Sequence, residues 1–346
     1  GLLFMASIRT RHSVWQGMGF CLTAAAGTAF FNWYTFAYIH YGQWMLWVAY
    51  LAVGIMIASL LIAPFFFLLA VFRAFGKGRR IIGRLAWGIT CLAVLFGTTG
   101  AIRGNMQEVT EHVEISSPEL PAAWDGFKIA EISDTHVGPY YTNRNLPEDF
   151  LIARREGAQM IALTGDLIDD IRVMPETARI LIIFVWGNHE YYRNKKYIAN
   201  ELKTTPVTLL QNNHVVLTRG GKALYIAGTD YPFAADERIR ITKERNMADK
   251  AFSGIPEGAP VILLAHHSDF IREGIRHKAI ITLTGHTHGM QTGFMGQPIL
   301  TPYVYTRGLY RAGPWYGYVS RGTGGWFPFR WGCSREITII TLRRKG

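Results

Sequence analysis

Five times between residues 127 and 288 a short apolar, β-branched run stops abruptly at Asp, Asn or His. Phe127-Lys128-Ile129-Ala130-Glu131-Ile132 leads into Ser133-Asp134-Thr135-His136. Met160-Ile161-Ala162-Leu163 leads into Thr164-Gly165-Asp166-Leu167-Ile168-Asp169. Leu181-Ile182-Ile183-Phe184-Val185 leads into Trp186-Gly187-Asn188-His189-Glu190, and Val261-Ile262-Leu263-Leu264 into Ala265-His266-His267-Ser268-Asp269. The fifth run, Ala279 to Thr284, leads into Gly285-His286-Thr287-His288-Gly289. Runs this short, closed by turn residues, read as buried strands. Polar groups at the C-terminal ends of strands are what an open α/β sheet uses to build a site.

The groups collected this way are Asp134, His136, Asp166, Asn188, His266, His286 and His288. They are oxygen and nitrogen donors with no thiolate among them. Seven donors over-supply one cation, but two cations sharing a carboxylate would each have about four protein ligands and an open position. The mixed set suits Mn, Fe or Zn, accommodates Co or Mg, and argues against Ca. His286 and His288 alternate at a strand end, so each can face a different ion. His267 adjoins His266 and is expected to point the other way, toward substrate or solvent. Asp169 and Glu190 read as supporting or loop groups, and His214 and His277 as solvated loop residues.

The first third has a different character. Residues 1–104 contain no Asp or Glu but eight Lys or Arg, so most of the +11 net charge lies there. The remainder holds 28 basic residues against all 25 acidic ones. Basic charge set between apolar stretches favours a lipid bilayer over nucleic acid as partner. Val14–Ile39, Trp44–Phe72 and Ile81–Ile102 each meet the length of about 20 apolar residues that a span needs. We therefore expect about three transmembrane helices in residues 1–104, with Gly1–Met5 as the end of a further one. A second domain follows over residues 105–346. The basic segment Arg73–Arg80 should stay cytoplasmic, which puts the second domain on the extracytoplasmic, periplasmic side of an inner or plasma membrane. Trp44, Trp47 and Tyr50 are expected near the outer interface.

Cys21, Cys91 and Cys333 form no CxxC pair and read as buried, inert thiols. Thr110–Ile115 reads as a first edge strand, and Glu336–Leu342 as the strand closing the sheet. The connectors over Leu146–Gly157 and Ile171–Ile180 are short for crossover helices, as if residues were missing near 141–146 and 170–180. The stretch Pro302–Arg335 interleaves aromatics with Arg307, Arg311, Arg321 and Arg330. That composition suits ordinary packing, or contact with a membrane surface or phosphate.

From Gly126 onward the chain resembles the calcineurin-like metallophosphoesterases. The resemblance rests on Asp134-x-His136, Gly165-Asp166, Gly187-Asn188-His189-Glu190, the strand-end His266 and Gly285-His286-Thr287-His288, in that order. It implies a four-layer α/β/β/α sandwich behind the transmembrane helices. It implies that Asp134, His136 and His288 bind one divalent metal, that Asn188, His266 and His286 bind the other, and that Asp166 bridges them. His189 would hold a phosphate oxygen or protonate the leaving oxygen. The anchor and the wording of the blocks are similar to the membrane-anchored bacterial branch. One departure is Met290, where a second glycine usually stands, which costs backbone freedom in the turn.

The expected activity is hydrolysis of a phosphodiester or pyrophosphate, carried by a lipid-linked or membrane-surface substrate, through in-line attack of a metal-bridging hydroxide. Asn188, His189 and His267 are the expected substrate contacts, and Asp166 and His189 the catalytic pair. Two alternatives are a cytoplasm-facing nucleotide–lipid pyrophosphatase and a non-catalytic membrane scaffold of the same fold.

Overall fold

In a computed structural model, the described residues are 13–36, 43–74, 79–141, 145–169, 181–325 and 327–345. They divide into two compact units. One holds residues up to Met106 together with Phe327–Trp331, and the other holds the rest.

The first unit contains α1 (Ser13–Phe36), α2 (Gln43–Ala74) and α3 (Arg79–Met106). Among the described residues, two segments are long and apolar enough to cross a bilayer, Trp44–Leu68 in α2 and Gly83–Met106 in α3. The α1 helix forms over the expected Val14–Ile39, of which residues 37–39 lie outside the described residues. Gln16, Thr23, Thr28, Asn32 and Thr35 dilute it, and Thr23, Thr28 and Asn32 turn back to carbonyls four residues earlier. Close packing of α2 on α3 depends on glycine, since a Cβ on Gly97 would lie 2.4 Å from the Gly54 carbonyl oxygen. Phe327–Trp331 packs within this unit, with the Trp331 ring 4.3 Å from that of Phe96. Trp44 and Trp47 are exposed, whereas Tyr50 is buried. Cys21 and Cys91 lie exposed rather than buried, and Cys333 is buried in the second unit. Gly1–Met5 falls outside the described residues.

The second unit is built on two six-stranded sheets. The first contains β1 (Glu108–Ser117), β2 (Lys128–Ile132), β3 (Met160–Leu163), β4 (Leu181–Val185), β5 (Val207–Leu210) and β14 (Arg335–Arg344). Its order is β1-β14-β2-β3-β4-β5, so the C-terminal strand lies inside the sheet, between the edge strand and β2. The second contains β6 (Asn213–Arg219), β7 (Lys222–Gly228), β8 (Val261–Leu264), β9 (Ile281–Thr284), β12 (Gly308–Ala312) and β13 (Trp315–Val319). Its order is β12-β13-β9-β8-β7-β6. A separate hairpin pairs β10 (Gly293–Phe294) with β11 (Gln297–Pro298).

Period-two alternation sorts side chains between layers. On β4, Ile183 and Val185 join the core between the sheets, where they meet Ile262, Leu264, Ile281 and Leu283. Ile182 and Phe184 face outward to α4 (Asn145–Arg155) and α6 (Lys195–Leu202) through Leu146, Phe150, Ile198 and Leu202. Ala227 and Leu263 on the other sheet meet Ala251 and Phe270 of α7 (Glu237–Phe252) and α8 (Phe270–Arg276). Three cores make four layers, α/β/β/α. The α4 helix occupies the short connector before β3, with 11 residues, and the short α5 (His189–Tyr192) follows β4. The connector before β4 lies outside the described residues.

His214 sits on β6, where its Nδ1 lies 3.0 Å from the Ala251 carbonyl oxygen. His277 closes α8, stacks on Phe252 at 4.2 Å and meets Asp249 at 3.0 Å. Neither is a freely solvated loop residue.

Candidate metal centre

All five strand ends open on one place. The loops after β2 and β3 are zipped together, Asp134 N–H donating to the Gly165 carbonyl (3.1 Å) and His136 N–H to that of Asp166 (2.9 Å). Gly285 N–H donates to the His266 carbonyl at 3.1 Å, joining the ends of β8 and β9. Asp134 accepts from the His286 amide at 3.1 and 3.0 Å, which ties the two sheets' loops to each other.

The ligand-type atoms gather into three groups, each within 4.8 Å: Asp134, His136 and His288; His136, Asp166 and His189; and Asp166, His266 and His286. Asp166 Oδ2 stands 3.2 Å from His266 Nε2 and 3.6 Å from His136 Nε2, so one carboxylate faces both sides. Two pairs of imidazole nitrogens converge at 3.2 Å, His136 Nε2 with His288 Nε2 and His286 Nδ1 with His266 Nε2. His266 Nδ1 donates to the Thr164 carbonyl at 2.7 Å, which turns Nε2 toward Asp166 and His286. Asn188 Oδ1 is buried without a hydrogen-bond partner. Converging imidazole nitrogens beside an orphaned amide oxygen and two buried carboxylates fit a divalent cation, which can take all of them as ligands together.

The backbone is strained at these residues. Asp134, His136, Asp166, His286 and His288 all have φ between +46 and +73°, a region L-residues rarely adopt. Such strain persists only where its surroundings over-determine it. Glycines make the crowding feasible. A Cβ on Gly187 would lie 2.1 Å from Asp166 Oδ1, and one on Gly285 2.2 Å from Asp134 Oδ2. Met290, with φ +62°, takes a glycine-like conformation at a bulky residue, as its place in the turn predicts.

Two acids steady the ligands. Glu190 is fully buried and accepts from the amides of Gly187, Leu167, Asp166 and Ile168 at 2.8, 2.7, 3.2 and 3.3 Å. It clamps the β3 and β4 loops together. Asp169 accepts from His189 Nδ1 at 2.7 Å and stands 3.3 Å from His136 Nδ1, orienting both rings. Burial raises the Asp169 carboxyl, but these two histidines outweigh it and hold it well below its ordinary range. Burial also opposes charge on His189, yet Asp166 and Asp169 push it up to about 9. His286 is driven the other way, to about 3, by burial and the neighbouring His266.

His267 is buried, and its ring lies 5.0 Å from that of His286. It points toward Glu244 and Asp269 rather than solvent. Two groups near the centre were not expected there. The Tyr231 and Tyr303 hydroxyls lie 3.4 and 3.5 Å from His286 Nε2. The signal for Tyr231 is present in the sequence, because β7 runs into Thr229-Asp230-Tyr231, a sixth strand stopping at a polar residue.

Comparison with known proteins agrees with this geometry. The model of the calcineurin-like phosphoesterase family matches residues 127–290. The uncharacterized metallophosphoesterase YkuE of Bacillus subtilis (strain 168) is 31% identical over 289 residues, 78% of this chain and 97% of the relative. A Helicobacter pylori (strain ATCC 700392 / 26695) metallophosphoesterase is 30% identical over 261 residues, 71% of this chain and 66% of the relative. A Danio rerio transmembrane protein with metallophosphoesterase domain is 27% identical over 277 residues, 75% of this chain and 62% of the relative. The chain belongs to the calcineurin-like phosphoesterase family.

Proposed function

We propose that the protein is a membrane-anchored, two-metal hydrolase of phosphodiesters or pyrophosphates presented at a membrane surface. The observation that carries this is Asp166, whose carboxylate is shared by one ligand group containing His136 and another containing His266 and His286. Asp134, His136 and His288 would hold one divalent cation, and Asn188, His266 and His286 the other, with Mn, Fe or Zn suited to the N/O set. Bound there, the cations supply positive charge for the phosphoryl oxygens and acidify the attacking water.

The chain's own groups do the rest. Asp166 and Asp169 raise the His189 pKa, Asp169 orients the ring, and one face stays partly open. His189 is placed to give a proton to the leaving oxygen. Tyr231 and Tyr303 wall the His286 side and limit the water that reaches it. His267 acts behind His286 and reaches substrate only through it.

Membrane tethering is supported by two spanning-length helices and by relatives named as transmembrane proteins. Retention of the basic segment Arg73–Arg80 in the cytoplasm places the second unit outside it. The test is turnover by purified full-length protein, loaded with Mn, Zn or Mg, on panels of soluble phosphodiesters and lipid phosphates. No metal-dependent hydrolysis in any arm removes the reading.

A further inference from the structure

One surface beside the metal centre has no place in the chemistry above. Between the His286–His288 turn and β12, the chain exposes Phe294 (73%), Met295 (86%), Ile299 (61%), Leu300 (80%) and Val304 (67%). Five large apolar side chains within 11 residues are an unusual thing to leave in water. They sit on the β10–β11 hairpin and the segment after it, joined to neither six-stranded sheet.

Three features say what covers this patch. The first is charge. No Asp or Glu occurs from Gly274 to Arg335, while the exposed Arg311 follows the apolar tip. Apolar side chains followed by an exposed arginine with no acid among them match an interface whose surface is anionic and whose interior is hydrocarbon. A partner protein with a mixed surface would call for both signs of charge. The second is availability, because the same chain carries helices of membrane-spanning length. The third is where the loop begins and ends. It leaves from the ligand turn, and Tyr303 brings it back to His286. The Thr287 hydroxyl then donates to the Thr306 carbonyl at 2.5 Å and fixes its base. A loop rooted on both sides of the ligand turn hands whatever it binds to the metal centre.

We propose that Gly293–Val304 is a membrane-docking loop that seats in an anionic phospholipid bilayer and presents lipid-borne phosphate to the site. The seating is independent of the proposed activity; only the presentation of substrate rests on it.

The test uses the full-length chain in vesicles of mixed phosphatidylglycerol and phosphatidylethanolamine. Cys21→Ser and Cys91→Ser remove the exposed thiols, and an environment-sensitive label is placed through Met295→Cys or, on exposed β6, Val216→Cys. Docking makes the Met295 label blue-shifted, quenched by spin-labelled lipid and shielded from iodide, with the Val216 label the reverse. Equal iodide access at the two positions overturns the proposal. So does shielding at Met295 that disappears as protein is diluted in lipid, which would mark a second copy as the occupant.

A second arm compares Ile299→Glu/Leu300→Glu with the parent on a lipid phosphodiester in vesicles and on water-soluble bis(p-nitrophenyl) phosphate. At least a tenfold loss confined to the vesicle substrate is expected. An equal loss on both overturns the presentation role. If the parent hydrolyses neither, the enzymatic reading fails while the label depth still decides docking.

Discussion

The chain contains two buried clusters of histidine and carboxylate that look alike on paper and differ in one respect. Around Asp166, histidines and acids converge, and among the described residues the ion pairs of Asp134 and Asp166 are to histidines. A few residues along from His266, the group Glu244, His267 and Asp269 has the same composition and the same compactness. Here, however, Arg240 Nη1 lies 2.7 Å from Glu244 and 2.5 Å from Asp269, and Arg272 lies 3.0 Å from Asp269. The second cluster carries its own cations on side chains. The first sets its two buried carboxylates among histidines and leaves the Asn188 amide oxygen orphaned. Ligand-like residues at ligand-like distances therefore do not by themselves mark a metal site. What marks it is whether the protein has already neutralised them.

The sharpest way to break that distinction is Asp166→Asn, which removes the carboxylate shared by both sides. Turnover should be abolished and metal content measured by mass spectrometry should fall, with far-UV circular dichroism unchanged. Undiminished turnover would exclude the shared-ligand arrangement. His189→Ala should lower kcat by about 10²–10⁴-fold, the range for a lost general acid, while the protein keeps its metal. Asp169→Asn leaves every proposed ligand in place but loosens two rings. A decrease of about 10–100-fold in activity or metal affinity is expected, read by metal titration alongside kinetics.

Arg240→Met probes the other cluster. Leaving Glu244 and Asp269 short of a cation should cost about 3–5 kcal/mol in denaturant unfolding. Added Mn or Zn should recover part of that loss in the variant alone. No response to metal would mean the two clusters differ by more than their arginines. The smallest effect concerns pH. Burial raises Glu244 first, Arg240 opposes it and Asp269 adds to it, with the carboxyl pushed from 4.5 to about 7. A group whose pKa is higher in the folded state binds more protons there, so stability declines as pH rises from about 4.5 through about 7. Glu244→Gln should flatten the pH dependence of the unfolding midpoint in that window, and an unaltered curve would assign the slope to another group.

Much of the centre was legible because its blocks are local. A run such as Met160–Leu163 has few options other than a buried strand, and Gly165-Asp166 at its end must then form a loop at the sheet's rim. The supporting groups were harder to see. Nothing in the sequence around Glu190 announces that it will accept four amides from two separate loops, because three of those donors lie more than 20 residues away in the chain. His267 was read as outward-facing from strand alternation. Alternation stops where β8 stops at Leu264, and beyond it the turn geometry places the ring beside His286. The α1 helix shows the converse, its formation following from local composition while Gln16, Asn32 and the threonines interrupt its apolar run.

By itself the amino-acid order determined which residue types would stand at the strand ends, and that apolar helical segments would precede them. Both follow from hydrophobic periodicity and turn chemistry, which act over a few residues. Only the tertiary structure decided that five such ends meet at one point, that Asp166 faces both ligand groups and that Arg240 fills the lookalike cluster. Those outcomes depend on sheet order and on contacts between residues a hundred or more apart in the chain, such as His286 with Asp134, and no local pattern encodes them.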